Sequence, residues 1–167
     1  MTFVSTDPQS RNSENTWFTP KVFIDALGPF DLDPCTVSFR PFDTAKNHFQ
    51  HDLGDDGLIL SWFGDVWLNP PYGKEIGPFI KKFITHLKGC LLIFARMGSE
   101  HIQRLIESGA SIFLLRKRIN FLSKDHKNRG NAGADSLIAF YDKKYIQRLV
   151  NSEIKGVLIQ GYNSLKV

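Results

Sequence analysis

Two rhythms of apolar and polar positions run along the chain. Short unbroken apolar runs, "VWLN" from Val66 and "CLLIFA" from Cys90, read as buried strands, and "GVLIQGY" from Gly156 reads as a last strand. In "PFDLDPCTV" the strand is expected to stop at Asp33-Pro34, because proline cannot donate to a central ladder. Against these, Ile76, Phe79, Ile80, Phe83, Ile84 and Leu87 fall at i, i+3, i+4, i+7, i+8 and i+11, with Lys81, Lys82 and Lys88 off the stripe. That spacing predicts an amphipathic helix. Thr19 as cap, Pro20 at the first helical position and Gly28 past the end frame a shorter helix over "KVFIDAL". Ser99 opens another that Gly109 stops, and a third covers about Lys144 to Asn151. "SIFLLRKRINFL" and "DSLIAFYD" read as two strands joined by a long polar loop from Ser123 to Ala134, while Thr44 to Gly57 is polar, turn-rich and without a clear period.

Strand, helix, strand, helix, then two adjacent strands is an α/β order. It predicts a mostly parallel sheet with helices on both faces and an antiparallel hairpin at the C-terminal end. Residues 1–15 are polar and expected to be flexible, leaving 16–167 as a single domain. Ligands in such sheets sit at the carboxyl ends of strands. Asp33-Pro34 and Asn69-Pro70-Pro71-Tyr72 both fall at such ends. Two polar bends brought to one edge make a site.

Charge sharpens that picture, because the overall +4 hides an asymmetry: residues 1–73 carry a net −6, residues 74–129 a net +8 and residues 130–167 a net +2. A cationic small molecule near the first part and a polyanion along the second is one economical explanation. The apolar runs are too short to cross a bilayer and no charged-then-apolar leader opens the chain, so a cytoplasmic address is expected and no membrane partner. Cys35 and Cys90 have neither metal-ligand spacing nor disulfide density, and His48, His51 and His101 are not spaced as ligands, so no metal is expected.

Asn-Pro-Pro-Tyr suits one kind of chemistry. An exocyclic amine on adenine is a poor nucleophile because its lone pair is delocalised into the ring. Two acceptors placed on its two protons draw the nitrogen toward tetrahedral geometry and restore the pair. Asn69 offers a side-chain oxygen and Pro70 a backbone carbonyl, with Pro70 and Pro71 stiffening the bend. Tyr72 adds a flat face for an extracted base, worth roughly 1–3 kcal/mol.

With these residues "LNPPYG" resembles the catalytic motif of S-adenosylmethionine-dependent amino methyltransferases. Taken in order with "TWFTP", "FDLDPCT", "TAKNHFQHD" and "DGLILSW", over residues 16 to 141, the chain resembles the compact phage-type DNA N6-adenine methyltransferases. The resemblance implies a Rossmann-like methyltransferase fold and transfer of a methyl group from S-adenosyl-L-methionine to adenine in double-stranded DNA. It implies that Asn69, Pro70, Pro71 and Tyr72 are catalytic. Asp33 with Pro34, Asp56, and Trp17, Thr19 and Pro20 would lie at the cofactor. Thr19 and Pro20 are equally explained as a helix start, and Asp56 as part of an Asp-Asp-Gly turn. "DPCTVSFRPFDTAKNHF" departs from many methyltransferases in lacking the glycine-rich turn after the first acidic strand, which implies a differently built pocket.

Positive charge concentrates at Arg116, Lys117 and Arg118 and in the following loop at Lys124, Lys127, Asn128 and Arg129, which are the expected DNA contacts. No large extra segment is present for recognition, so sequence preference is expected from short loops or from a second subunit in a homodimer. The target adenine must leave the stack to reach Asn69. Two rivals stand beside this reading: methylation of RNA or of a protein glutamine amide, and a non-catalytic DNA-binding relic of the fold.

Overall fold

In the computed structural model, residues 17–123, 128–131 and 133–161 are described. Their order is α1 (Lys21–Leu27), β1 (Leu32–Thr36), β2 (Asn47–Gln50), a 3-10 turn (His51–Leu53), β3 (Val66–Leu68), α2 (Ile76–His86), β4 (Gly89–Phe94), α3 (Glu100–Glu107), β5 (Ser111–Leu115), β6 (Asn120–Leu122), β7 (Asn128–Asn131), β8 (Ser136–Phe140), α4 (Lys144–Val150) and β9 (Gly156–Ile159). The expected flexible segment 1–15 lies outside the described residues.

Seven strands form one sheet in the order β2-β1-β3-β4-β8-β5-β9, and β6 pairs with β7 as a separate two-stranded ribbon. β2, β1, β3 and β4 run parallel, while β8 lies antiparallel between β4 and β5 and β9 runs antiparallel to β5. The α/β class stands, with a mixed rather than purely parallel sheet. Alternation along each strand sorts the core into two layers. Leu32, Val66, Leu68, Leu91 and Ile93 pack under α2 and α3 through Phe79, Ile80, Phe83, Ile102 and Leu105. Trp67, Cys90, Leu92, Ile138 and Phe140 pack on the other face under α1 and α4 through Phe23, Leu27, Tyr145 and Leu149.

Several expectations need correction. β1 does not stop at Asp33-Pro34 but runs through it to Thr36; the register with β2 slips between Asp33 and Thr36, an irregularity that accommodates a residue with no N–H to give. The polar stretch after Thr44 contains β2. "SIFLLRKRINFL" is two strands, since the chain leaves the sheet after Leu115 and β6 pairs with β7 inside the expected loop. The cap of α1 is Pro20 rather than Thr19, with no side-chain bond to the helix start. On the α2 stripe, Leu87 closes the helix with φ 62° and is half exposed instead of joining the core.

Candidate active site

Parallel neighbours share a carboxyl edge. Leu32 pairs with Val66, and Val66, Trp67 and Leu68 pair with Gly89, Cys90 and Leu91, so the residues that follow Leu32, Leu68 and Leu91 emerge on one side of the sheet. There the β1 end meets the bend directly, as the Cys35 thiol donates to the Asn69 carbonyl at 3.3 Å. The Asp56-Gly57 turn closes on β1 as well. A Cβ at buried Gly57 would lie 1.8 Å from the Pro34 carbonyl oxygen, so only glycine allows the approach. Lys82 of α2 secures that turn, its ammonium donating to the carbonyls of Gly57 (3.0 Å), Leu58 (2.9 Å) and Leu60 (2.6 Å), while the Trp62 indole donates to Gly57 at 2.8 Å.

The Asn69 amide is oriented from one side. Its Nδ2 donates to the Trp17 carbonyl at 2.9 Å and lies 3.4 Å from the Thr19 hydroxyl oxygen. A carbonyl can only accept, so the NH2 must face Trp17 and Oδ1 must face away. That Oδ1 is buried and has no hydrogen-bond partner among the described residues. An unmet buried acceptor costs about 1–3 kcal/mol. A buried polar atom left in that state calls for an explanation, and a bound group that donates to it is one.

Trp17 and Thr19 belong to a strap clamped on both sides. Phe18 and Leu122 of β6 exchange backbone bonds of 3.2 and 2.9 Å, and the Trp17 ring meets Phe121 edge-on at 5.5 Å. The ribbon and the Asn69 amide are therefore joined through three residues.

Tyr72 stacks on Phe94, the last residue of β4, with ring centroids 4.0 Å apart and planes 16° from parallel. Its hydroxyl is buried and unpartnered among the described residues, and burial holds the phenol far above its ordinary range, so it stays protonated.

Asp33 is almost entirely buried. Its carboxylate accepts from the Thr44 hydroxyl and, at 3.2 Å, from the Cys35 amide. Burial raises its pKa to about 6, opposed by those two bonds and by the charge of Arg40. No lysine or arginine among the described residues forms an ion pair with it. Asp56 differs: its exposed carboxylate accepts from the Leu58 amide at 2.8 Å and builds the turn.

The structure thus brings Trp17, Thr19 and Asn69 into direct contact, with Pro70 following in the bend, and ties Asp33-Pro34 to them through Cys35. Pro20 serves α1, Pro71 is exposed, and Asp56 contributes through the fold of its turn. Cys35, Thr44, Lys82 and Phe94 were missed. Phe94 had a signal, since it closes the apolar run of β4 at the same edge as Asn69. Thr44 and Lys82 had none, because their partners lie 11 and about 25 positions away in sequence.

Arg116, Lys117 and Arg118 are exposed where the chain leaves β5 for the ribbon, and Arg118 pairs with Asp135 at 3.1 Å. Lys124 and Lys127 lie outside the described residues; Asn128 and Arg129 are placed on β7 by their backbone alone. Among the described residues no three His, Cys, Asp or Glu side chains converge as metal ligands, and no helix is long and apolar enough to cross a membrane.

Neither a curated protein nor a solved structure matches the chain. The family model for DNA N-6-adenine-methyltransferase (Dam) matches residues 6–159, nearly the whole sequence and every element of the edge just described, and the chain belongs to that family.

Proposed function

We propose that the shared edge of β1, β3 and β4 is where the family's reaction, methylation of the adenine N6 amine in DNA, takes place. One observation carries this: a buried acceptor, Asn69 Oδ1, left unmet among the described residues while its Nδ2 is held by the Trp17 carbonyl. An amine proton supplies what that oxygen lacks. The Pro70 carbonyl accepts a hydrogen bond from the second N–H, and together the two acceptors draw the nitrogen lone pair out of the ring. No strong base is needed before attack, since the nitrogen sheds its surplus proton only after it has gained positive charge. Tyr72 gives the base a face to stack on once it has left the duplex.

Methyltransferases of this family take their methyl group from S-adenosylmethionine, which supplies an electrophilic carbon on a sulfonium. The residues present fit such a molecule. Asp33 is a carboxylate held out of water at the strand end with no ion-pair partner among the described residues, and a ligand ammonium compensates that burial. Asp33 and Pro34 are the residues we assign to holding it. Trp17 and Thr19 serve instead to orient Asn69, and Asp56 shapes the turn that closes on Pro34. The order β2-β1-β3-β4 with β8 inserted antiparallel before β5 supports reading the sheet as a Rossmann-like methyltransferase fold.

DNA meets the protein at Arg116, Lys117 and Arg118 and at the ribbon through Asn128 and Arg129 of β7, with Lys124 and Lys127 assigned to the same contact from their sequence alone. A two-stranded ribbon matches the width of the major groove. Sequence preference comes from this ribbon, or from a second subunit if the enzyme works as a homodimer.

The test is transfer of radiolabelled methyl from S-adenosylmethionine to unmethylated duplex DNA, with nucleoside analysis of the product. N6-methyladenine formed by the wild type and not by Asn69→Ala supports the assignment. An Asn69→Ala protein of equal activity overturns it.

A further inference from the structure

We infer that Phe94 is a positioning residue for the reaction: its ring backs Tyr72, so that the target adenine stacks on the opposite face of the tyrosine and the three rings form one pile. This rests on the reading that Tyr72 is the base platform.

The two rings differ in how they are held. Phe94 closes a strand whose register runs through Phe94↔Ser136, and beyond it the Ala95 amide donates to the Asp135 carbonyl at 2.8 Å and the Arg96 amide to the Phe94 carbonyl at 2.9 Å. Its backbone is tied to β8 and its position is set by the sheet. Tyr72 sits in an irregular bend after β3, and its hydroxyl has no partner among the described residues to anchor the ring. Its one ring stack among the described residues is the near-parallel contact with Phe94, which lies along the plane a base platform must keep. At 4.0 Å the two rings already touch, so a base cannot enter between them without breaking the stack. A platform that must meet a base with Asn69 Oδ1 and the Pro70 carbonyl on its amine tolerates little tilt, because misplacement at the reacting atom is costly in rate. A phenylalanine fixed by the central sheet supplies that rigidity.

The experiment is a double-mutant cycle on single-turnover methyl transfer, with DNA and cofactor affinities measured separately and thermal melting confirming that each variant folds. Phe94→Leu, which keeps apolar bulk and removes the flat face, is expected to slow transfer by about tenfold, near the upper end for one aromatic pair. DNA and cofactor affinity should stay unchanged, and Phe94→Tyr should recover most of the rate. In a Tyr72→Ala background the same Phe94→Leu change should cost little more, because the ring it backs is gone. Wild-type rate in Phe94→Leu overturns the inference, as does an equal loss in both backgrounds. A faster Phe94→Leu enzyme would show that Phe94 occupies the seat of the base, which also overturns it. If Tyr72→Ala alone leaves the rate intact, the platform reading fails and this inference with it; if Tyr72→Ala is slow and Phe94→Leu is not, only the inference falls.

Discussion

Asn69 earns its assignment from what its two amide atoms do: one is held by the Trp17 carbonyl, the other is buried with no donor among the described residues. Asn69→Ala should therefore lower kcat by about 100- to 1,000-fold, the range seen when one preorganised polar group at a reacting centre is removed, while cofactor affinity stays near wild type. Isothermal titration beside steady-state kinetics separates the two. Thr19 is a weaker partner at 3.4 Å, so Thr19→Val should cost less than about tenfold in kcat. Asp33 carries a pH signature. Its folded pKa of about 6 stands above the ordinary 3.8, so the folded state holds the proton more tightly than the unfolded one. The stability this contributes is fully present below about pH 4 and is lost as pH rises through 6, about 3 kcal/mol in all. Urea melts across that window should show the decline, and Asp33→Asn should flatten it. If a ligand ammonium pairs with Asp33, S-adenosylmethionine affinity should rise over the same interval and lose that dependence in Asp33→Asn.

At the scale of elements, the edge depends on turns that touch β1. Gly57 lies so close to Pro34 that Gly57→Ala would place a methyl 1.8 Å from a backbone oxygen with no side chain to yield. Displacement of the turn should cost about 1–3 kcal/mol in a denaturant melt and weaken cofactor binding. β1 itself shows why its end was misread: proline's missing N–H argued for a stop, yet the strand continues because the slip in register beside it relieves the ladder. The α2 stripe, by contrast, was legible from spacing alone, since Phe79, Ile80 and Phe83 return to one face every turn and all three are buried. The split of residues 111–122 was not legible. A run of apolar and basic residues looks continuous whether or not the chain turns out of the sheet at Arg116.

For the whole molecule, charge is divided by region, with the net +8 of residues 74–129 on the part that carries Arg116, Lys117 and Arg118. If those exposed residues meet phosphates, duplex affinity should fall steeply with salt. The double variant Arg116→Ala with Lys117→Ala should reduce the slope of log K against log salt by about 2, one unit or slightly less per contact. An unchanged slope would take these two residues out of the interface.

Local signals by themselves determined the α/β class, the principal strands and helices and the bend Asn69-Pro70-Pro71-Tyr72, because periodicity, proline and glycine act over a few residues. The tertiary structure decided what chain separation hides. It set the Asn69 amide against Trp17, 52 positions earlier, and left its Oδ1 unmet among the described residues. It laid Tyr72 on Phe94, inserted β8 between β4 and β5, and buried Asp33 beside Thr44. An orientation, an empty hydrogen bond and a shifted pKa belong to neighbours in space, and only the fold chooses those neighbours.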